Sequence, residues 1–440
     1  MNPVGRRPGR TGRLSSGKKR YDGPCRGRGT EHELVCQSCG TAHEPGGYPT
    51  GCPDCRADGR AGRLEVEYDP ATIPASAIPE VGGGRTEAMW DYRELLPLLA
   101  DTPVTLEEGG TPAVRATRQS DRLGVDVIVK NETTNPTWSY KDRLNALLVS
   151  NRPADGERRI ATSSTGNHGA STAAYAARAD RGPVIVLVPH ETEAALRRQI
   201  RAHGAGTLVT EYDARGALLA ELVDRGWYPT VNVTEPYIGL PYSYEAYKTI
   251  AFELVEQAEV PNVVLMGIGA GDGLYGVWKG FRELAALDAI DDPPKMVAVQ
   301  SEERTPVVEA LESGTDRVGE SEGPQPITLS AGGTTAGDHA LRAIRESGGS
   351  AYGLERAAIE ASIRETARDG LLLEPSSAIT AAGVEPALED GLVDEGGSVV
   401  CVGTGAGVKW PDHTESAVGT AVEIEPTMDA LRAAVDVSID

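Results

Sequence analysis

Lysine is scarce in this chain, with eight among 440 residues against 65 aspartates and glutamates. All 43 basic residues together leave a formal net charge of −22. Residues 1–28 hold nine Lys or Arg against one acid, Asp22, so the remaining 412 residues carry −30. A body of that sign repels a phosphate backbone, which speaks against nucleic acid as its partner. Long apolar runs are missing too. None approaches the roughly 18 residues of a membrane span and the N-terminus has no apolar core of a leader, so a cytosolic protein is expected. Cysteine is sparse, six in all, and thiols in a cytosolic chain stay reduced, which argues against disulfides.

Abundant carboxylates with few lysines suit a medium where salt screens their repulsion over a few ångströms. The balance is read as adaptation to molar salt, as in a halophilic archaeon; a merely acidic enzyme is the alternative. Residues 1–30 set Arg6, Arg7, Arg10, Arg13, Lys18, Lys19 and Arg20 among glycines and prolines. Such a segment has almost nothing to bury and is expected to be a disordered basic tail without assigned function.

Four of the six cysteines form two knuckles, Cys36-Gln37-Ser38-Cys39 and Cys52-Pro53-Asp54-Cys55, twelve residues apart. Paired Cys-x-x-Cys turns let four thiolates converge on one tetrahedral Zn²⁺. With every position filled by cysteine, no place is left for water, and the site is structural. Short strands are expected at residues 34–35 and 64–66, making residues 31–70 a zinc ribbon. His32, His43 and Cys25 lie nearby as spare groups, and Cys401 reads as a core thiol.

The chemistry gathers in four later segments. Lys141 sits in Asn135-Pro136-Thr137-Trp138-Ser139-Tyr140-Lys141-Asp142-Arg143, ahead of an apolar helical run at 144–149. Ser163-Ser164-Thr165-Gly166-Asn167-His168-Gly169 follows about twenty residues on. Gly267-Ile268-Gly269-Ala270-Gly271-Asp272-Gly273 and Gly403-Thr404-Gly405-Ala406-Gly407 each follow an apolar run. A glycine-rich strand-to-helix turn offers bare N–H groups at the positive end of a helix dipole, which suits a phosphate. Each loop alone is an ordinary turn of an α/β sheet. Together, an amine, a phosphate cradle and a hydroxyl at a strand tip are what pyridoxal 5'-phosphate (PLP) needs. Apolar runs at 125–130, 183–189, 263–266, 296–300 and 398–402 alternate with helix-period stretches, which predicts parallel sheets covered by helices.

The order of these motifs resembles the fold-type-II PLP enzymes, and among them the threonine synthase family, over about residues 105–409. The likeness rests on Glu107-Glu108-Gly109-Gly110-Thr111-Pro112, the Lys141 block, Ser164-Thr165-Gly166-Asn167, and Lys248-Thr249-Ile250-Ala251-Phe252-Glu253. Val277-Trp278-Lys279-Gly280-Phe281, Glu374-Pro375-Ser376-Ser377-Ala378 and the Thr404 loop complete it. The resemblance implies two αβα domains, a larger one at 85–135 and 245–425 and a smaller one at 136–244, with a helix or tail at 426–440. Residues 87–99 would be a helix or linker. It implies that Lys141 carries PLP and is the catalytic base, and that Asn167 bonds the phenolic oxygen. Gly269, Ala270, Gly271, Asp272 and Gly273 would hold the phosphate, and Thr404 would face the ring nitrogen. Ser164 and Thr165 would touch the carboxylate of an amino-acid substrate, beside a role in capping the next helix. A homodimer and an N-terminal zinc ribbon of the archaeal kind fit the same resemblance.

Three departures from the family fall where a phosphate leaving group is gripped. His168 replaces a threonine, Trp138-Ser139-Tyr140 replaces glycine-serine-phenylalanine, and Ile238 stands where an arginine is usual. One lost bidentate Arg–phosphate contact is worth roughly 1.5–3 kcal/mol. His168 is expected either to replace that cation in part and bind substrate, or to mark a β-eliminase. Trp138 is expected to narrow the pocket or pack beside the cofactor. Threonine synthase is the first reading. A PLP-dependent β-eliminase or β-replacement enzyme (threonine or serine ammonia-lyase, or cysteate-synthase-like) is the second. A zinc-ribbon binding protein with a vestigial catalytic domain and a regulatory PLP carrier stay behind them.

Overall fold

The computed structural model of the chain describes residues 30–84, 86–151, 159–394 and 396–435. The expected basic tail lies outside these residues apart from Thr30. Branched apolar residues pack well on a pleated surface, and their runs become strands. Near the N-terminus β1 (Glu33–Cys36), β2 (Ala42–His43) and β3 (Leu64–Glu67) form an antiparallel sheet, order β2-β1-β3. Then follow β4 (Ala113–Arg115), β5 (Asp126–Asn131), β6 (Ile160–Ser163), β7 (Val184–Pro189), β8 (Gly206–Thr210) and β9 (Tyr228–Pro229). The last four are β10 (Val263–Gly267), β11 (Lys295–Ser301), β12 (Ser350–Leu354) and β13 (Ser398–Gly403). All five apolar runs read from the sequence are strands, with ends shifted by one residue at most.

These strands make two further sheets. One has the order β8-β7-β6-β9 and is parallel throughout. The other runs β12-β11-β10-β13-β5-β4 and is parallel except for its edge strand β4. In open parallel sheets ligands bind beyond the carboxyl ends of the strands. The loops after β6, β10 and β13 carry the three glycine-containing motifs. Residues 87–99 contain a 3-10 helix at Met89–Leu95, and the C-terminal segment contains a helix at Met428–Ala434 without buried residues.

The helix Pro241–Gln257 is buried from Pro241 to Val255, and it packs along the helix Asp272–Ala286. Gly276 and Gly280 make that close approach possible. A Cβ on either would stand 2.7 Å from Tyr244 O or 2.5 Å from Lys248 O. Glu253 on the first helix anchors a buried ionic cluster. Its carboxylate accepts from the amides of Gly110 and Thr111, from both Nη atoms of Arg143, and from Lys130 Nζ. Arg143 also pairs with Glu132. Burial works against ionised Glu253, but Arg143 and Lys130 outweigh it and hold its pKa below the ordinary value. The cluster fixes the start of the Lys141 helix (Lys141–Ser150) against three distant segments.

The ribbon joins the same core. Arg63 and Tyr275 bond Glu65, and Lys279 Nζ donates to Val66 O and pairs with Glu245. Its turn also touches residues 228–242. A Cβ on Gly51 would meet Ile238 Cδ1 at 2.4 Å, one on Gly47 would lie 3.3 Å from Tyr228 Cε2, and Asn232 Nδ2 donates to Pro49 O at 3.4 Å.

Candidate active site

A cavity of about 760 Å³ lies between the two parallel sheets, lined by Lys141, Ser164, Thr165, Asn167, residues 266–274 and Thr404. Lys141 is the first residue of its helix. Its Nζ lies 4.6 Å from the centre of the Tyr140 ring and 3.3 Å from Tyr140 Oη. Tyr140 is itself stacked on Tyr247, with centroids 4.6 Å apart. The strand-like stretch before Lys141 is stitched to the loop after β13. Tyr140 N donates to Thr404 O at 2.9 Å and Ala406 N to Trp138 O at 3.1 Å. Buried Lys409 donates to Thr137 O at 2.9 Å, and burial lowers its pKa to about 8 despite Glu374 and Asp142 nearby. Lysine and hydroxyl are therefore positioned by the same pair of segments.

The loop after β10 is shaped by contacts that tolerate no side chain. A Cβ on Gly269 would stand 2.5 Å from Ser330 O, and one on Gly273 would stand 2.9 Å from Tyr140 Cε2. Gly271 has φ +96° and caps the helix Asp272–Ala286, a conformation that favours glycine. The amides of residues 269–274 donate to no protein acceptor among the described residues. A run of free N–H groups at a helix N-terminus fits a phosphate. The Asp272 side chain is engaged elsewhere. Its Oδ2 accepts from Tyr237 Oη at 2.7 Å, and its Oδ1 lies 3.0 Å from His339 Nε2.

Asn167 opens the helix Asn167–Arg178. Its Nδ2 donates to both carboxylate oxygens of Glu374, at 2.9 and 2.7 Å, while its buried Oδ1 has no protein donor. Glu374 also accepts from Trp410 Nε1, and burial raises its pKa. Thr404 Oγ1 lies 2.7 Å from Ser377 Oγ, which accepts from Gly405 N. Free amides, a lysine amine and a paired hydroxyl in one cavity suit the phosphate, aldehyde and ring nitrogen of PLP, and the orphaned Asn167 Oδ1 suits a phenolic hydroxyl that donates to it.

Ser164 Oγ accepts from Gly166 N at 3.0 Å and Gly169 N at 2.8 Å, so its hydroxyl shapes the helix entry. Thr165 lines the cavity beside it. His168 also reaches the cavity wall, yet both ring nitrogens face protein groups. Nε2 lies 2.9 Å from Thr230 Oγ1 and Nδ1 lies 3.4 Å from Asn145 Nδ2. Burial, helped by the charge of Lys141, pushes its pKa down to about 3. A neutral imidazole cannot replace an arginine's charge. Trp138 corrects the expectation placed on it: its side chain is half exposed and absent from the lining, at a backbone position with φ 62°. Sequence reasoning also missed Glu374, quoted within a motif but without a role, and Arg215, which carries no motif.

Away from the cavity, Cys36, Cys39, Cys52 and Cys55 converge. Cys36 and Cys55 Sγ are 3.7 Å apart, as are Cys39 and Cys52 Sγ. Zn–S bonds of about 2.3 Å imply a tetrahedral edge of about 3.8 Å, so this donor set fits zinc. Gly62 leaves room for it: a Cβ there would meet Cys55 Sγ at 2.7 Å. His43 Nε2 is 3.2 Å from Cys52 Sγ, placed to donate to that sulfur. Cys401 is fully buried in β13, and burial raises its pKa to about 12.

Residues 104–405 match the family model described as pyridoxal-phosphate dependent enzyme, and the chain belongs to that family. Within it, the chain goes with the threonine synthases. It is 32% identical to that of Methanosarcina acetivorans over 416 residues, which cover 92% of this chain and 98% of that one. It is 33% identical to that of Methanocaldococcus jannaschii over 382 residues, covering 84% and 93%. Among solved structures, processed threonine deaminase isoform 2 from Solanum lycopersicum shares the fold, with a TM-score of 0.62 at 20% identity, covering 80% of this chain and 99% of that one.

Proposed function

We propose that the chain is a threonine synthase, converting O-phospho-L-homoserine and water to L-threonine and phosphate. The observation that carries this reading is 32% identity to such an enzyme along 98% of its length, with the PLP-compatible cavity as its physical counterpart. Bound PLP would supply the electron sink that lets a proton leave the substrate and a phosphate depart from Cγ. Lys141 Nζ would anchor the cofactor and, once released, take the proton from Cα. The amides of 269–274 would hold the cofactor phosphate, and Asn167 its phenolic oxygen. Thr404, paired with Ser377, would offer a neutral hydroxyl to the ring nitrogen, which leaves that nitrogen unprotonated. Ser164 and Thr165 would orient the substrate carboxylate. The four ribbon cysteines would bind one structural Zn²⁺.

The same reading has the enzyme in the cytosol, and the 65 acids against 43 bases support a salt-adapted cell. No helix among the described residues is long and apolar enough to cross a membrane. A homodimer rests on resemblance alone. A β-eliminase is the second reading, favoured by Ile238 and by His168 after Asn167. One paired assay on PLP-loaded protein in molar KCl separates them. Phosphate and threonine in equal amounts from O-phosphohomoserine are expected. Formation of 2-oxo acids from L-threonine or L-serine, without phosphate release from O-phosphohomoserine, would sink the assignment.

A further inference from the structure

Two arginines are buried among the described residues, and they are partnered in opposite ways. Arg143 lies between Glu132 and Glu253. Arg215 has no carboxylate within 4.0 Å among the described residues. Its Nε donates to Tyr212 O at 2.9 Å, and its guanidinium stacks 4.2 Å from the Tyr212 ring centre. These contacts fix the plane of the group; among the described residues neither Nη atom has a protein acceptor within hydrogen-bond distance, and both keep accessible surface. A buried charge without a counter-ion is costly, so such groups are normally paired. Arg215 lines the cavity, and an anion entering there would supply the missing partner.

The basic side chains lining the cavity are Lys141, His168 and Arg215. Lys141 is committed to the cofactor, and His168 is bonded to Thr230 as a neutral ring. The amide cradle after β10 lies on the six-stranded sheet. Arg215 belongs to the helix Ala214–Asp224, which packs against β6, β7 and β9 of the other sheet. The two anion sites therefore face the cavity from different walls. Acids at Asp213, Glu235, Asp272 and Glu374 also line the space, so a doubly charged phosphate needs a cation to enter it. Burial lowers the pKa of Arg215, with Tyr212, Asp213 and Glu191 offsetting part of the effect; its guanidinium stays charged.

We propose that Arg215 is the specificity-determining cation that takes the phosphate ester of the substrate, with its two free Nη atoms forming a bidentate contact. This deepens the threonine synthase reading and rests on it for the identity of the substrate. The planar fork of arginine matches phosphate oxygens in a way that a lysine does not.

The test compares wild type, Arg215→Ala and Arg215→Lys as PLP-loaded enzymes. In Arg215→Ala the KM for O-phosphohomoserine should rise about 10- to 100-fold, as for loss of a charge-assisted contact. The inhibition constant of inorganic phosphate should rise in parallel, with PLP absorbance unchanged and partial recovery in Arg215→Lys. Unchanged KM and phosphate inhibition in a folded, PLP-loaded variant would overturn the assignment. A measurement on unaltered enzyme covers variants that do not fold. Inorganic phosphate should protect Arg215 from phenylglyoxal, read by peptide mass mapping, and equal labelling with and without phosphate also overturns it. Wild type that releases no phosphate from O-phosphohomoserine, yet shows this protection, would remove the threonine synthase reading and leave the phosphate site standing.

Discussion

The two walls of the cavity are built by different means. The wall from the loops after β10 and β13 is made of backbone. Its glycines are pressed against Ser330 O and Tyr140, and its hydroxyl is fixed by Ser377. The opposite wall, from the helix Ala214–Asp224 and residues 230–237, brings Arg215, Asn232, Thr234, Glu235 and Tyr237 to the lining. It leans on the ribbon turn through Pro49 and Gly51. A backbone wall suits a resident group that never changes. A side-chain wall can be refitted by substitution, and here Arg215 faces the cavity from it.

That contrast predicts where substitutions act. Lys141→Ala should have the largest effect, lowering turnover by about 10³-fold or more. It should also abolish borohydride-trapped PLP, read by mass spectrometry; retention of covalent PLP would break the assignment of the cofactor wall. Next comes Gly269→Val, whose Cβ would stand 2.5 Å from Ser330 O. PLP affinity should drop about tenfold or more, since a ~1.4 kcal/mol loss already does so, by fluorescence titration of apo-enzyme.

Stripping metal from the ribbon should act on the other wall. KM for O-phosphohomoserine should rise about 2- to 30-fold, the range for residues coupled at a distance, with a smaller loss of PLP affinity, because β3 also bonds Tyr275 and Lys279 of the cradle helix. Equal loss of PLP and substrate affinity would erase the distinction between the walls. The smallest effect concerns pH. His168 is neutral in the folded protein down to about pH 3 but titrates near 6.5 when unfolded. The unfolded chain therefore binds more protons between those values. Stability from this residue is complete above pH 6.5 and is lost as pH falls towards 3. At pH 5 the loss is about 2 kcal/mol. His168→Asn should remove that part of the decline, measured by urea midpoints at pH 7 and pH 5.

The sequence carried the strands plainly, because a parallel strand covered on both faces is apolar throughout and 263–266 or 398–402 admits few other readings. The motifs and the resemblance pointed to Lys141, Asn167 and Thr404, which the fold brings to one cavity, and local spacing set the convergence of the four cysteines. Arg215 was not legible. It lies within an ordinary helix, and only tertiary burial reveals that no acid accompanies it. The role of Glu374 depends on Asn167, 207 residues away. Motifs quoted for resemblance also hid a division of labour. Glu253 and Arg143 belong to the scaffold under the site, a fact contained in their pairing and not in their spacing. Trp138 misled because its aromatic character suggested a lining role, whereas its side chain is half exposed.

The partners of Arg143 have a consequence for the order in which the molecule can be finished. Glu253 follows Arg143 by 110 residues, and ribosomes add about 5–20 residues per second. The nascent chain must therefore wait roughly 5–20 s with the guanidinium two residues past Lys141 still lacking that carboxylate. Glu374 and Thr404 emerge later still. The lysine's surroundings are thus completed close to the end of synthesis, so a truncated chain ending before Glu253 lacks the support for its own active site.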